Sequence, residues 1–248
     1  MIMKYYRPQT LDEALGLLTQ ADTFPLGGGT LLSKPGPAPI KVVDLQALDL
    51  NALNVKGNSL EIGATLTLQQ LLESPHAPEA LEAAIKLEAP LNVRNTATIA
   101  GTLVAADGRS TFTTVMLALD AKVILAGEES PISLGDFLPL RPDNVQGKLI
   151  TAIEIPLNAK TAFETVARTP ADKPIVCAAL AQWPSSRTRL ALGGYGRAPL
   201  LAMDGTEPEG LETAASNAFH EAADEWGSAE YRMNVAATLA KRCLAAIA

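Results

Sequence analysis

The sequence is short of the side chains that usually carry polar catalysis. Among 248 residues it has two cysteines, Cys177 and Cys243, and two histidines, His76 and His220. Two cysteines so far apart in sequence argue against a disulfide framework, and they fall short of the four thiolates an iron–sulfur cluster usually takes. Two Cys and two His with no H-E-x-x-H spacing argue against a zinc site. No Ser, His and acid trio suggests itself, and G-x-S-x-G is absent. If the chain belongs to an enzyme, a cofactor must carry the chemistry.

Long apolar runs and cationic charge are also scarce. Although 48% of the residues are hydrophobic, no run approaches the roughly 20 residues of a membrane span. The start, Met1-Ile2-Met3-Lys4-Tyr5-Tyr6-Arg7, lacks the apolar core of a signal peptide. A soluble, cytoplasmic protein is expected. With 20 Lys and Arg against 27 Asp and Glu, the net charge is −7, which argues against a nucleic-acid partner. A phosphate-bearing ligand would have to be held mostly by main-chain dipoles.

What is present is an α/β pattern followed by a different one. Thr10 with Glu13, and Thr67 with Gln70, are capping-box pairs that open helices over 11–20 and 68–73. Phe24–Leu26, Ile40–Leu45 and Leu60–Ala64 read as strands, and the Pro-rich residues 34–39 as a loop. Residues 78–88 and 112–119 read as helices, 122–125 and 149–155 as strands. After Pro156, strands over 163–167, 175–183 and 189–193 precede helices over 210–225 and 229–248. That order suggests a separate α+β layer pair with a boundary near 157.

Two stretches carry the functional signal. The first is Leu26-Gly27-Gly28-Gly29-Thr30-Leu31, directly after a strand. Glycine lets a ligand approach the main chain closely, and successive N–H groups in such a bend form a concave anion site suited to a diphosphate. Read alone it is either that or a tight turn and nothing more. It is neither a Walker A motif nor G-x-G-x-x-G. The second is Thr98-Ile99-Ala100-Gly101-Thr102, preceded by Arg94, which could hold a neighbouring loop or a phosphate.

Together these stretches resemble the FAD-binding medium subunit of the molybdenum hydroxylases, the family of xanthine dehydrogenase and carbon monoxide dehydrogenase. The family's A-G-G-T-D-L-L-like loop corresponds to residues 27–32, and its R-N-x-A-T-I-G-G-N to residues 94–102. Ile62-Gly63-Ala64, Leu117-Ala118-Leu119-Asp120-Ala121, Ile150-Thr151-Ala152-Ile153-Glu154-Ile155-Pro156 and Ala229-Glu230-Tyr231-Arg232 resemble further family segments in the same order. The resemblance implies an α+β fold: a two-lobed FAD-binding domain of the vanillyl-alcohol-oxidase (PCMH) type, then a small α+β C-terminal domain. The lobes would be 1–55 and 56–156, with the last domain over 157–248. The two glycine stretches would grip the FAD pyrophosphate from opposite lobes. Implied cofactor contacts are Leu26–Leu31 and Thr98–Thr102 throughout, with Asp107, Thr111 and Ile150. Implied partners are a molybdenum-cofactor large subunit and a small subunit with 2Fe–2S clusters, in a possible dimer of heterotrimers. The chain would pass electrons from those clusters to NAD+, a quinone or another acceptor.

The sequence departs from the family pattern at several positions. Ala100 and Thr102 replace Gly and Asn, and Leu31 replaces a frequent Asp. Thr111 stands where an Asp contacts the flavin nucleotide, with Asp107 as its substitute from a shifted loop, and Thr165 stands where some members have Lys. If position 100 needs a positive φ, Ala there costs about 1 kcal/mol or more. These departures motivate an alternative, a flavin-free or weakly flavin-binding scaffold subunit. A third reading, an independent flavin oxidoreductase with its own substrate, is disfavoured because the chain lacks a polar catalytic set. Bland readings suit the other candidates: Asp120 at a helix end, Cys177 in the core, and Arg168, Asp172 and Lys173 in surface ion pairs, the last three with the alternative of touching the flavin or an incoming acceptor. Trp183 and Trp226 read as core or partner contacts, and Tyr195 as an aromatic able to cover a ring face.

Overall fold

Helix starts follow the hydroxyl caps. In the computed structural model, which describes residues 1–34, 36, 38–141 and 145–248, Thr10 accepts the Glu13 N–H at the head of α1 (Leu11–Leu18). Thr67 and Gln70 form a reciprocal capping box at the head of α2 (Leu68–Leu72). Each such cap contributes about 1 kcal/mol. Of the loop expected over 34–39, Pro35 and Pro37 lie outside the described residues.

The chain divides into two compact units, both discontinuous in sequence. Unit 1 takes residues 1–73, 91–105 and 122–154, and unit 2 takes 74–90, 106–121 and 155–248. In unit 1, β1 (Ile2–Tyr6), β2 (Thr23–Leu26) and β3 (Ile40–Asp44) make a parallel sheet in the order β1-β3-β2. Alternation along β3 sends Val43 to the face covered by α1, where it joins Ala14, Leu18, Leu45 and Leu149 in one apolar cluster. A second sheet has the order β4-β5-β8-β6-β7, from β4 (Leu53–Lys56), β5 (Ser59–Gly63), β6 (Lys122–Leu125), β7 (Ile132–Ser133) and β8 (Ile150–Pro156). The short helices α4 (Leu91–Arg94) and α5 (Ile99–Ala105) also belong here.

Unit 2 is built on an antiparallel sheet of β9 (Lys160–Val166), β10 (Val176–Gln182), β11 (Thr188–Gly193) and β12 (Leu200–Gly205). Its helices are α3 (Glu79–Glu88), α6 (Thr111–Ala118), α8 (Leu211–Ala218) and α9 (Ala229–Ile247), while α7 (Leu134–Phe137) belongs to unit 1. In β10, Val176, Ala178 and Leu180 pack with residues of α8 and α9, including Ala215, Leu239 and Cys243. The other face carries Cys177, whose Sγ lies 3.6 Å from the Thr114 hydroxyl of α6. Burial on both faces explains why β10 is a nearly unbroken apolar run. Burial also pushes both Cys177 and Cys243 thiols up to about 12. Asp120, in the left-handed region at φ 56°, ends the α6 segment and pairs with Arg187 at 3.0 Å and Arg189 at 3.3 Å. Its helix-end role is the expected one.

Candidate functional site

The first glycine stretch begins where β2 leaves its sheet. Leu26 is paired with Asp44, and its carbonyl accepts the Leu45 N–H at 3.1 Å. Asp44 is 2% exposed, accepts the Tyr5 hydroxyl and the Gln46 N–H, and lies 3.9 Å from Arg7. The bond to this carboxylate raises the pKa of the Tyr5 hydroxyl. This anchored strand end delivers the chain into Gly27-Gly28-Gly29, with Gly29 at φ 68°. The following turn closes through Ser33 N–H to Gly29 O at 3.1 Å and Lys34 N–H to Leu31 O at 3.0 Å. Among the described residues, the N–H groups of Gly27, Gly28, Gly29 and Thr30 make no hydrogen bond. All four residues are half-buried, so a cluster of donors is left for a ligand or solvent.

The second stretch differs from the bend expected for it. It is the start of α5, and the N–H groups of residues 99–102 are spent. Ile99 donates to Leu66 O at 2.9 Å, Ala100 to Ala64 O at 3.1 Å, and Thr102 to Thr98 O at 2.8 Å. Gly101 donates to the Thr98 hydroxyl at 3.2 Å, which acts as a helix cap. What this stretch offers the first is a wall. A Cβ on Gly28 would lie 1.5 Å from Thr96 O, and one on Gly27 would lie 2.8 Å from Thr98 Oγ1. The two stretches therefore meet in one place, main chain against main chain. Ala100 is absent from the residues with positive φ, so the strain considered for alanine at this position does not arise.

The other expected contacts are distributed as follows. Ile150 is 7% exposed in β8, and its neighbour Thr151 accepts the Ala64 N–H at 3.0 Å, linking that strand to the start of α5 through Ala64. Leu31 is 50% exposed. Arg94 donates to the Gln69 side chain at 3.0 Å and so braces α2. Asp107 and Thr111 fall in unit 2. Asp107 pairs with Lys173 at 2.7 Å and accepts the Arg109 N–H at 2.9 Å. Thr111 is 1% exposed, and its hydroxyl donates to Ala84 O at 2.8 Å. Glu88 also accepts from Ser110, Thr111 and the Phe112 N–H, which ties α3 to the head of α6. This position gives Thr111 a packing role. Thr165 points its hydroxyl at Val176 O, 3.5 Å away.

Residues missed at the sequence level are Thr96, whose carbonyl is the wall against Gly28, and the buried Asp44. Thr96 lies within the family-like segment 94–102, but nothing in its side chain announces a main-chain contact. Asp44 ending an apolar strand was a visible signal for a paired buried carboxylate.

Residues 1–158 match the family described as the FAD binding domain in molybdopterin dehydrogenase. The uncharacterized protein YgfM of Escherichia coli (strain K12) is 30% identical, with 96% of this chain and 94% of that protein covered. The glyceraldehyde dehydrogenase medium chain of Sulfolobus acidocaldarius is 28% identical, with 98% of each covered. A chain of the reconstituted CO dehydrogenase from Oligotropha carboxidovorans superposes with a TM-score of 0.81 at 26% identity, covering 99% of this chain and 98% of that one. The chain belongs to the FAD-binding family of the molybdopterin dehydrogenases. It is an FAD-binding medium subunit of the molybdenum hydroxylase type, an oxidoreductase subunit whose cofactor is FAD. No described helix is long and apolar enough to cross a membrane.

Proposed function

We propose that the chain carries electrons through FAD, from iron–sulfur clusters of a small partner subunit to NAD+, a quinone or another acceptor. Substrate oxidation then falls to a molybdenum-containing large subunit, and the assembly is a dimer of heterotrimers. The chain's own contribution is to bind and orient the flavin, which supplies the redox chemistry when bound. The observation that carries this reading is the set of unspent N–H donors over Gly27–Thr30, backed by the Thr96 carbonyl. These donors suit the FAD pyrophosphate, and their main-chain origin suits a chain of net charge −7. In this reading residues 98–102 brace the loop, and Leu26, Leu31 and Ile150 supply apolar walls. The flavin-free alternative loses its motive at position 100, where the backbone is unstrained.

Two measurements test the proposal. FAD titration of the purified full-length chain should give saturable binding and the visible absorbance of oxidised flavin. Native pull-down followed by metal analysis should return molybdenum and iron with the chain. Binding of FAD without either metal would leave the flavin assignment standing and overturn the partners.

A further inference from the structure

Unit 2 carries a cluster of cations that the flavin assignment does not use. Its foundation is Arg232, fully buried, whose Nη2 donates to Asp224 Oδ1 at 2.6 Å. The same Asp224 oxygen accepts the Trp226 N–H at 2.8 Å and the Gly227 N–H at 3.2 Å. The turn that bears Trp226 is therefore held from within the core. Two guanidiniums stack on its indole, Arg168 with Cζ 4.4 Å and Arg109 with Cζ 4.7 Å from the ring centroid.

The two arginines differ in what remains unspent. Arg109 donates to Pro174 O at 2.9 Å and Lys173 O at 2.6 Å, fixing the 167–174 loop. Arg168 makes no hydrogen bond among the described residues, and its nearest carboxylate is Asp172 at 3.9 Å. Stacking holds a guanidinium in place yet leaves its in-plane N–H groups available. Lys173, half-exposed, stands in the same loop and pairs with Asp107 at 2.7 Å. Counting Arg109, Arg168 and Lys173 against Asp107 and Asp172, the cluster has an excess of one positive charge on a chain of net charge −7.

We propose that this cluster is a receptor for a phosphoryl group, with Arg168 as its anchor and Lys173 as its second cation. A planar fork held on an aromatic face matches phosphate oxygens two at a time, and its ordering cost is largely met before the ligand arrives. The ligand class is a diphosphate, free or as part of a nucleotide. Of the residues expected at the flavin, the site involves Asp107 alone, as the ion-pair partner of Lys173.

The test is calorimetric titration of the full-length chain, saturated with FAD and at low salt, with inorganic diphosphate and separately with ADP. The expected result is saturable one-to-one binding that Arg168→Ala weakens roughly 10-fold or more, the worth of hydrogen bonds to a charged group. Arg242→Ala removes another exposed cation from unit 2 and should leave the affinity nearly unchanged. Tighter binding of ADP than of diphosphate identifies a nucleotide as the source, and equal binding identifies the free anion. Absence of saturable heat with both ligands overturns the proposal. So does equal weakening by Arg168→Ala and Arg242→Ala, which would reduce the effect to overall charge.

Discussion

Replacing Gly28 with alanine puts a carbon atom 1.5 Å from the Thr96 carbonyl oxygen, where ordinary contact begins at 3.4 Å. The obstacle is main chain, which cannot rotate away as a side chain can. Loop and wall must separate by roughly 2 Å, enough to misdirect hydrogen bonds whose donor–acceptor distances span only about 2.7–3.2 Å. Hydrogen bonds to charged groups contribute about 1.5–3 kcal/mol each, so losing two costs about 3–6 kcal/mol of binding. That corresponds to FAD affinity weaker by roughly two to four orders of magnitude. The assay is FAD titration of Gly28→Ala against wild type, with thermal unfolding followed in parallel. Gly16→Ala is the control, because nothing lies within 4 Å of a Cβ at that position in α1. It should bind FAD normally and gain up to about 1 kcal/mol in stability from helix propensity. If Gly28→Ala bound FAD within about threefold of wild type, the main-chain donor argument would fail.

Other consequences are smaller or different in kind. Ala100→Gly restores the family residue at a position whose backbone is helical and already bonded to Ala64; it should leave FAD affinity unchanged and cost about 0.5–1 kcal/mol in a denaturant melt. Arg232→Met should destabilise the chain by about 2–4 kcal/mol, since it strands the Gly194 carbonyl and removes the partner of Asp224. The thiols of Cys177 and Cys243, pushed up to about 12 by burial, stay protonated in the fold while those of the unfolded chain ionise near their ordinary value of about 8.5. Stability from this source should be fully present below about pH 8.5 and fall as the pH rises toward 12, seen as a falling melting temperature that Cys177→Ala partly flattens.

Much of this architecture was legible because local and tertiary preferences agree. Thr67 with Gln70 named a helix start, and the apolar run through β10 named a strand. The misses share a cause. β1 and β12 carry mostly exposed or half-exposed residues, so no alternation marks them. β1 is fixed instead by parallel pairing with β3, beginning at Ile2 and Ile40, a contact far along the chain. Residues 98–102 surround one Ala with two Thr, an Ile and a Gly, all weaker helix formers, and a Thr98 hydroxyl bonded to the Gly101 N–H replaced the usual capping-box signal. The membership of α3 and α6 in unit 2 was also hidden. Every residue of α6 is buried, which says that it is enclosed without saying by what.

Because the second stretch is a helix start, the physical account of why two glycine-bearing segments coexist changes. Had both presented main-chain donors, either could in principle be weakened while the other held the diphosphate. The structure divides the work. Residues 27–30 keep their N–H groups unspent, while residues 99–102 spend theirs on Leu66, Ala64 and Thr98. A helix start satisfied in this way is rigid, and a rigid wall can hold three consecutive glycines in one shape despite their conformational freedom. Sensitivity to substitution should therefore follow backbone proximity more than chemistry. Thr102, with its hydroxyl turned to Thr98 O at 2.8 Å, should tolerate serine, which keeps that bond, whereas Gly28 should tolerate no side chain.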